Sequence, residues 1–169
     1  FGPSPPSVAD LAAVLSLAEA DFLAEEIEGV SCGVPFLFVP VRSREALGRI
    51  QLKREAWERL IANTWAPHVF VFSADPELEG SDFRARMFAP AMGIIEDPAT
   101  GAAATTLAGY LAKRDPRESG VLQWRIEQGF EMGRPSILDI EAEKVDGKIT
   151  ALRVGGSTVL VTEGVMTLP

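Results

Sequence analysis

The sequence predicts an α+β fold, an antiparallel, barrel-like β-sheet wrapped around one buried central helix. Two observations carry that expectation. Gly101–Lys113 (GAAATTLAGYLAK) has helical composition but is apolar on nearly every side, with polar residues only at Thr105, Thr106 and Lys113, and a helix without a polar face has to be enclosed by protein. After it, Leu122, Trp124 and Ile126 alternate with Gln123, Arg125 and Glu127, and Leu138, Ile140 and Ala142 alternate with Asp139, Glu141 and Glu143. Joined by short connections, these runs read as antiparallel strands, each with one apolar face to lay on that helix. A chain of 169 residues accommodates one such domain.

The elements follow in order. Phe1–Pro6 (FGPSPP) reads as an extended linker, because proline fixes φ and biases its predecessor away from helix. Ser7 is a good N-cap for a helix with Asp10 three residues on and an apolar stripe of Val8, Leu11, Val14, Leu15 and Ala18. Gly29–Gly33 turns the chain into a buried strand, Val34–Val41. Short helices are expected at Arg44–Ile50 and Lys53–Asn63, then a strand at His68–Ser73. Phe83, Ala85 and Met87 alternate with Arg84 and Arg86, the period of a half-buried strand, and Ala89–Thr100 is a turn region before the central helix. Past the later strands, Asp146-Gly147 makes a hairpin into Ile149–Val154, and Gly155-Gly156 turns again into a closing strand at Thr158–Thr162.

Composition narrows the functional classes. With 47% hydrophobic and 24% charged residues the chain is globular, and a net charge of −8 without a basic cluster disfavours a nucleic-acid or anionic-membrane surface. The strongest apolar run, Val34–Val41, is far short of the roughly 20 residues of a membrane span. The lone Cys32 cannot form an internal disulfide, and no Cys/His cluster suggests zinc or another metal, so a cytoplasmic protein is expected. Cys32 reads as a small buried hydrophobe, and His68 is a weak candidate for a general base. Arg134 could meet a ligand carboxylate, with a structural ion pair as the commoner use, while Trp57, Trp65 and Trp124 read as core or interface.

The densest candidate for chemistry is Gly93–Ala103 (GIIEDPATGAA), two carboxylates, a proline, a threonine and a glycine just before the first turn of the enclosed helix. The first amides of a helix lack intrahelical partners and carry roughly half a positive charge, so they attract an anion. In a water-excluded setting they would bind a substrate carboxylate and the enolate-like charge formed when a neighbouring proton leaves. Asp97 is placed to bind or to shuttle that proton; the alternative is an ordinary helix cap, with Asp97 or Thr100 satisfying the amides and Glu96 solvated.

Glu96-Asp97-Pro98-Ala99-Thr100-Gly101, preceded by Arg86-Met87-Phe88-Ala89-Pro90 and followed by Gln128-Gly129 and Met132-Gly133-Arg134-Pro135-Ser136, resembles the C-terminal half of the phenazine-biosynthesis F-like isomerase family, which shares the diaminopimelate-epimerase fold. The resemblance extends through Val154-Gly155-Gly156 to Glu163-Gly164. It implies a cofactor-independent isomerase of two pseudo-symmetric halves with the site in the cleft between them. A glutamate of the missing N-terminal half then moves the proton. Asp97 is the implied catalytic residue of this half, and Gly93, Thr100, Gly101, Ala102 and Ala103 are the implied substrate-binding positions, with Ala102 standing where the family usually has serine. Phe1–Pro6 becomes the linker from that missing half and residues 7–169 the C-terminal domain. The implied partners are a small carboxylate-bearing substrate and the N-terminal half, with a homodimer as the candidate assembly. The competing expectation is a non-catalytic ligand-binding or protein-interaction module of the same fold.

Overall fold

The structure, a computed structural model, describes residues 1–167. Its elements are α1 (Val8–Leu15), β1 (Glu28–Ser31), β2 (Pro35–Pro40), α2 (Arg44–Arg49), α3 (Arg54–Leu60), β3 (His68–Ser73), β4 (Phe83–Ala89), β5 (Ile94–Asp97), α4 (Gly101–Arg114), β6 (Gly120–Gln128), β7 (Ser136–Val145) and β8 (Lys148–Gly155). All eight strands form one sheet in the order β1-β2-β3-β4-β6-β7-β8, with β5 paired to β4. The sheet curls around α4, as the all-round apolar composition of that helix requires. It is mixed rather than purely antiparallel: β2 and β3 run parallel, as do β4 and β6. Parallel neighbours need a crossover, and α2 with α3 supplies the first and α4 the second.

Two cores follow from strand alternation. On the concave side Phe36, Phe38, Phe70, Phe72 and Met87 pack with Leu107, Tyr110, Leu122, Ile126 and Ile140 around α4. On the convex side Leu37, Val39, Val69 and Val71 pack under Leu11, Leu15 and Trp57 of the shorter helices. Successive residues of β2 and β3 point to opposite faces and both faces are covered, which explains their unbroken apolar sequences. In β4 the expectation of a half-buried strand fails, because Arg84 and Arg86 are only 5% and 8% exposed. Each is tolerated inside because it meets carboxylates: Arg84 Nη1 lies 3.0 Å from Glu127, and Arg86 takes Glu96 in a two-point grip.

Local chemistry sets the boundaries. Ser7 and Asp10 form a capping box on α1, while Ser16 adopts a left-handed conformation (φ 58°) that stops the helix before Ala18. The Phe1–Pro6 segment lies on the domain, its Gly2 N–H donating to the Gly29 carbonyl at 2.8 Å; a Cβ at Gly2 would collide with the Trp65 ring. The expected closing strand at Thr158–Thr162 is absent: among the described residues no strand follows β8, and Val159, Leu160 and Val161 are all more than 80% exposed. β-branched residues favour a strand only where a neighbour offers hydrogen bonds, and the chain leaves the sheet at Gly155-Gly156. Conversely β5, inside the expected turn region, is a strand because β4 is there to pair with it.

The registers Phe36↔His68, Val69↔Phe88, Ala85↔Gln128, Gln128↔Ser136 and Asp139↔Gly155 bring the starts of β2, β3 and β7 and the ends of β4, β6 and β8 to one rim of the half-barrel. The N-terminus of α4 opens at that rim, where Gly101 faces Val154 of β8.

Candidate functional site

The site grows from the segment between β4 and α4. After β4 a short 3-10 turn (Pro90–Met92) ends at Gly93, whose φ of 74° reverses the chain into β5. Arg86 then fixes β5 from beneath: Nε and Nη2 each donate to Glu96 at 2.8 Å, while Nη1 donates to the carbonyls of Leu47 at 2.8 Å and Ile50 at 3.1 Å. Glu96 is therefore an anchor and not a solvated acid. Because Glu96 turns to Arg86, its neighbour Asp97 takes the opposite face, across from Met87 on the concave side.

Gln128, fully buried at the end of β6, ties the next stretch. Its Nε2 donates to the Asp97 carbonyl at 2.7 Å and to Thr100 Oγ1 at 2.9 Å, its Oε1 accepts from the Thr100 N–H at 3.2 Å, and Thr100 Oγ1 in turn donates to Asp97 Oδ2 at 2.6 Å. Gly129 (φ 80°) lets the two chains touch, since a Cβ there would lie 2.7 Å from the Pro98 carbonyl oxygen. The ordinary-cap alternative does not hold. Thr100 spends its hydroxyl on Asp97, no side chain caps α4, and the first bond of the helix is Ala104 N–H to the Thr100 carbonyl at 2.9 Å. The amides of Gly101, Ala102 and Ala103 precede that bond, so helical geometry gives them no partner inside α4. The result is a helix start with no acidic residue in its first turn and no side-chain cap, and with the half-buried carboxylate of Asp97 at its edge.

Of the residues expected at the site, Asp97, Thr100, Gly101, Ala102 and Ala103 come together. Gly93 does not; it is exposed on the preceding turn, four residues from Asp97. Cys32 is exposed in the β1–β2 turn and not buried as expected, because that turn projects from the rim. Arg134 is exposed and, among the described residues, makes no ion pair, since its turn serves Gly129 through main-chain bonds. Trp57 is core as expected, with Nε1 donating to the Pro67 carbonyl at 2.9 Å. Sequence reasoning missed the brace by Arg86 and the bonds that Gln128 makes to the Asp97–Thr100 stretch, although Gln128-Gly129 was part of the motif that carried the resemblance. Charge pairing at even spacing, Arg86 against Glu96, was the available signal for the first.

Two other polar regions have structural explanations. On the convex side Glu127 accepts from the N–H groups of Glu77 and Leu78 and from Arg84, which also reaches Glu131 and covers the Phe130 ring at 3.9 Å. Burial alone would push the Glu127 carboxyl up, but those donors outweigh it and hold the group below the ordinary range. A shallow concavity over β6–β8 is lined by Arg125, Asp139, Glu141 and Arg153, whose charges pair with one another. Among the described residues no cluster of three or more His, Cys, Asp or Glu side chains could hold a metal ion, and no helix is long and apolar enough to cross a membrane.

Comparison with known proteins supports the fold described above. Residues 2–164 match the family described as phenazine biosynthesis-like protein. An uncharacterized isomerase of Mesorhizobium japonicum is 38% identical over 159 residues, which cover 91% of this chain and 53% of the relative. The trans-2,3-dihydro-3-hydroxyanthranilate isomerase of Pseudomonas chlororaphis is 43% identical over 89 residues, 53% of this chain and 32% of the relative. Among solved structures, a phenazine biosynthesis protein of Bacillus anthracis superposes with a TM-score of 0.77 at 21% identity, covering 90% of this chain and 52% of that one. A predicted epimerase from Pseudomonas aeruginosa gives 0.62 at 28% identity, covering 96% and 56%. The chain spans about half the length of the curated relatives it matches along its whole extent.

Proposed function

Since the chain belongs to the phenazine biosynthesis-like protein family, we propose that it forms one wall of the active site of an isomerase that moves a proton beside the carboxylate of a small organic acid, without a cofactor. The observation that carries this reading is the start of α4: its capping groups are turned away, so its first amides are free to receive an anion, and Asp97 is held beside them. The substrate carboxylate accepts from the Gly101–Ala103 amides. When a C–H bond next to it breaks, the electron pair spreads onto that carboxylate, where the helix dipole stabilises it, and a proton returned at another carbon completes the isomerisation. Nothing is oxidised or reduced. Asp97 binds the polar end of the substrate and can hold the proton in transit. The proton-moving glutamate belongs, on this reading, to an N-terminal half, a division supported by the half-length coverage of the relatives.

The test is proton exchange in deuterated water by the full-length protein, with trans-2,3-dihydro-3-hydroxyanthranilate as the first probe because relatives are named for it. Asp97→Asn should lower exchange by about 10²–10⁴-fold, the usual worth of a positioned acid–base group. Unchanged exchange would remove Asp97 from the chemistry. The alternative of a ligand-binding module without catalysis is favoured by one feature, the missing hydroxyl at Ala102; it predicts probe binding with no deuterium incorporated at all.

A further inference from the structure

His68 opens β3 on the concave side, its ring packed on Phe36 at a centroid distance of 5.9 Å. The register Val69↔Phe88 carried one step further sets His68 opposite Ala89, which pairs with Ile94 of β5. His68 therefore stands on the same rim and face as Asp97, which lies three residues beyond Ile94. Asp97 pairs with Met87, two residues along β4 from Ala89, so two strand spacings across and two residues along separate the main chains of His68 and Asp97, roughly 12 Å, a gap that a small acid bridges between their side chains. The residue is 6% exposed, and its Nδ1 is buried with no hydrogen-bond partner among the described residues.

Burial without a counter-charge holds the imidazole pKa below its ordinary value, so the ring is neutral and carries one N–H. A buried N–H with nothing to accept it is rarer in proteins than an unused acceptor. The proton accordingly sits on Nε2, and Nδ1 keeps its lone pair against the apolar wall. What remains is an uncharged donor across the rim from the anion-binding helix start. Resting on the reading of the α4 start given above, we propose that His68 is a specificity-determining residue whose Nε2–H donates to a hydroxyl or carbonyl oxygen that the substrate carries away from its carboxylate. The substrate class narrows accordingly to small acids bearing a second oxygen.

Two stable aromatic acids test this on the full-length protein: 3-hydroxyanthranilate, and anthranilate, which lacks the hydroxyl. Wild type should bind the first roughly tenfold more tightly, the worth of one added hydrogen bond. His68→Leu should abolish that preference while leaving anthranilate affinity unchanged, and His68→Gln, which keeps a donor near the Nε2 position, should restore most of it. A preference retained in H68L overturns the proposal and leaves the anion site standing. Failure of both acids to bind wild type overturns the anion site and the proposal together. Independently of any ligand, the ¹⁵N spectrum of the imidazole, assigned by its loss in H68Q, should show the Nε2–H tautomer; an Nδ1–H tautomer overturns the proposal outright.

Discussion

Gln128 shows what one buried amide can do at this rim. Its side chain is matched to the Thr100 N–H, the Thr100 hydroxyl and the Asp97 carbonyl at once, so Gln128→Ala leaves three buried polar groups short of a partner. The expected cost is about 1–3 kcal/mol, read as a lower urea midpoint at unchanged slope. Gly129→Ala should be worse, because the new methyl meets main-chain oxygen and the backbone is left-handed there; little folded protein is expected on gel filtration. His68 adds a pH dependence. Its pKa is lowered by folding, so the unfolded chain binds the proton first: its contribution to stability is complete above about pH 6.5 and is lost as the pH falls from there. Denaturation of H68Q at two pH values should lack that component. At this scale the proximity of Asp97 and Thr100 was legible, because they are close together in the chain. The sequence marked Gln128 only as part of a resemblance and concealed its bonds to Thr100, 28 residues away, because the position otherwise reads as an ordinary polar one of an alternating strand.

Between elements, the brace from β4 to β5 decides whether the site segment holds its shape. Replacing Arg86 by Met keeps the bulk but leaves the largely buried Glu96 without its partner and the carbonyls of Leu47 and Ile50 without a donor. A loss of about 3–5 kcal/mol is expected, with hydrogen exchange at residues 94–97 rising more than in β6. Periodicity disclosed the strands of the second half and the enclosure of α4, because a repeat of two or an all-round apolar surface is a local property. It could not disclose whether a partner strand is present. Hence periodicity does not separate the two Ile residues of β5, which form a strand, from Thr158–Thr162, which does not, since both segments carry β-branched residues. The same blindness made Arg84 and Arg86 look solvent-facing, since alternation tells which side a residue is on but not what covers that side.

Over the whole molecule, the half-barrel encloses α4 along its length yet leaves apolar surface at its edges. Met92, Ile94 and Ile95 are exposed on the rim, and Val165 and Met166 after β8 are almost wholly so. Such surface drives association. Deleting the segment after Gly156 should leave the thermal midpoint nearly unchanged, because its exposed residues bury little against the domain, while lowering binding of an apolar dye. A fall of many degrees would mean that the segment is part of the fold's stability. The curled sheet around one helix was legible in advance; its two parallel pairings were not, since they depend on which strands the crossovers bring together.

The bonding around Gln128 has a consequence for how such proteins diversify. The loop is shaped by main-chain groups and by residues 86, 96, 97, 100, 128 and 129, whereas the exposed Ala99 and Ala102 contribute to none of those bonds. Shape and lining are thus inherited separately. On the reading proposed for the α4 start, a lineage can exchange alanine for serine at 102 and alter what the socket recognises in a single step, without first acquiring a compensating change elsewhere to keep the chain folded.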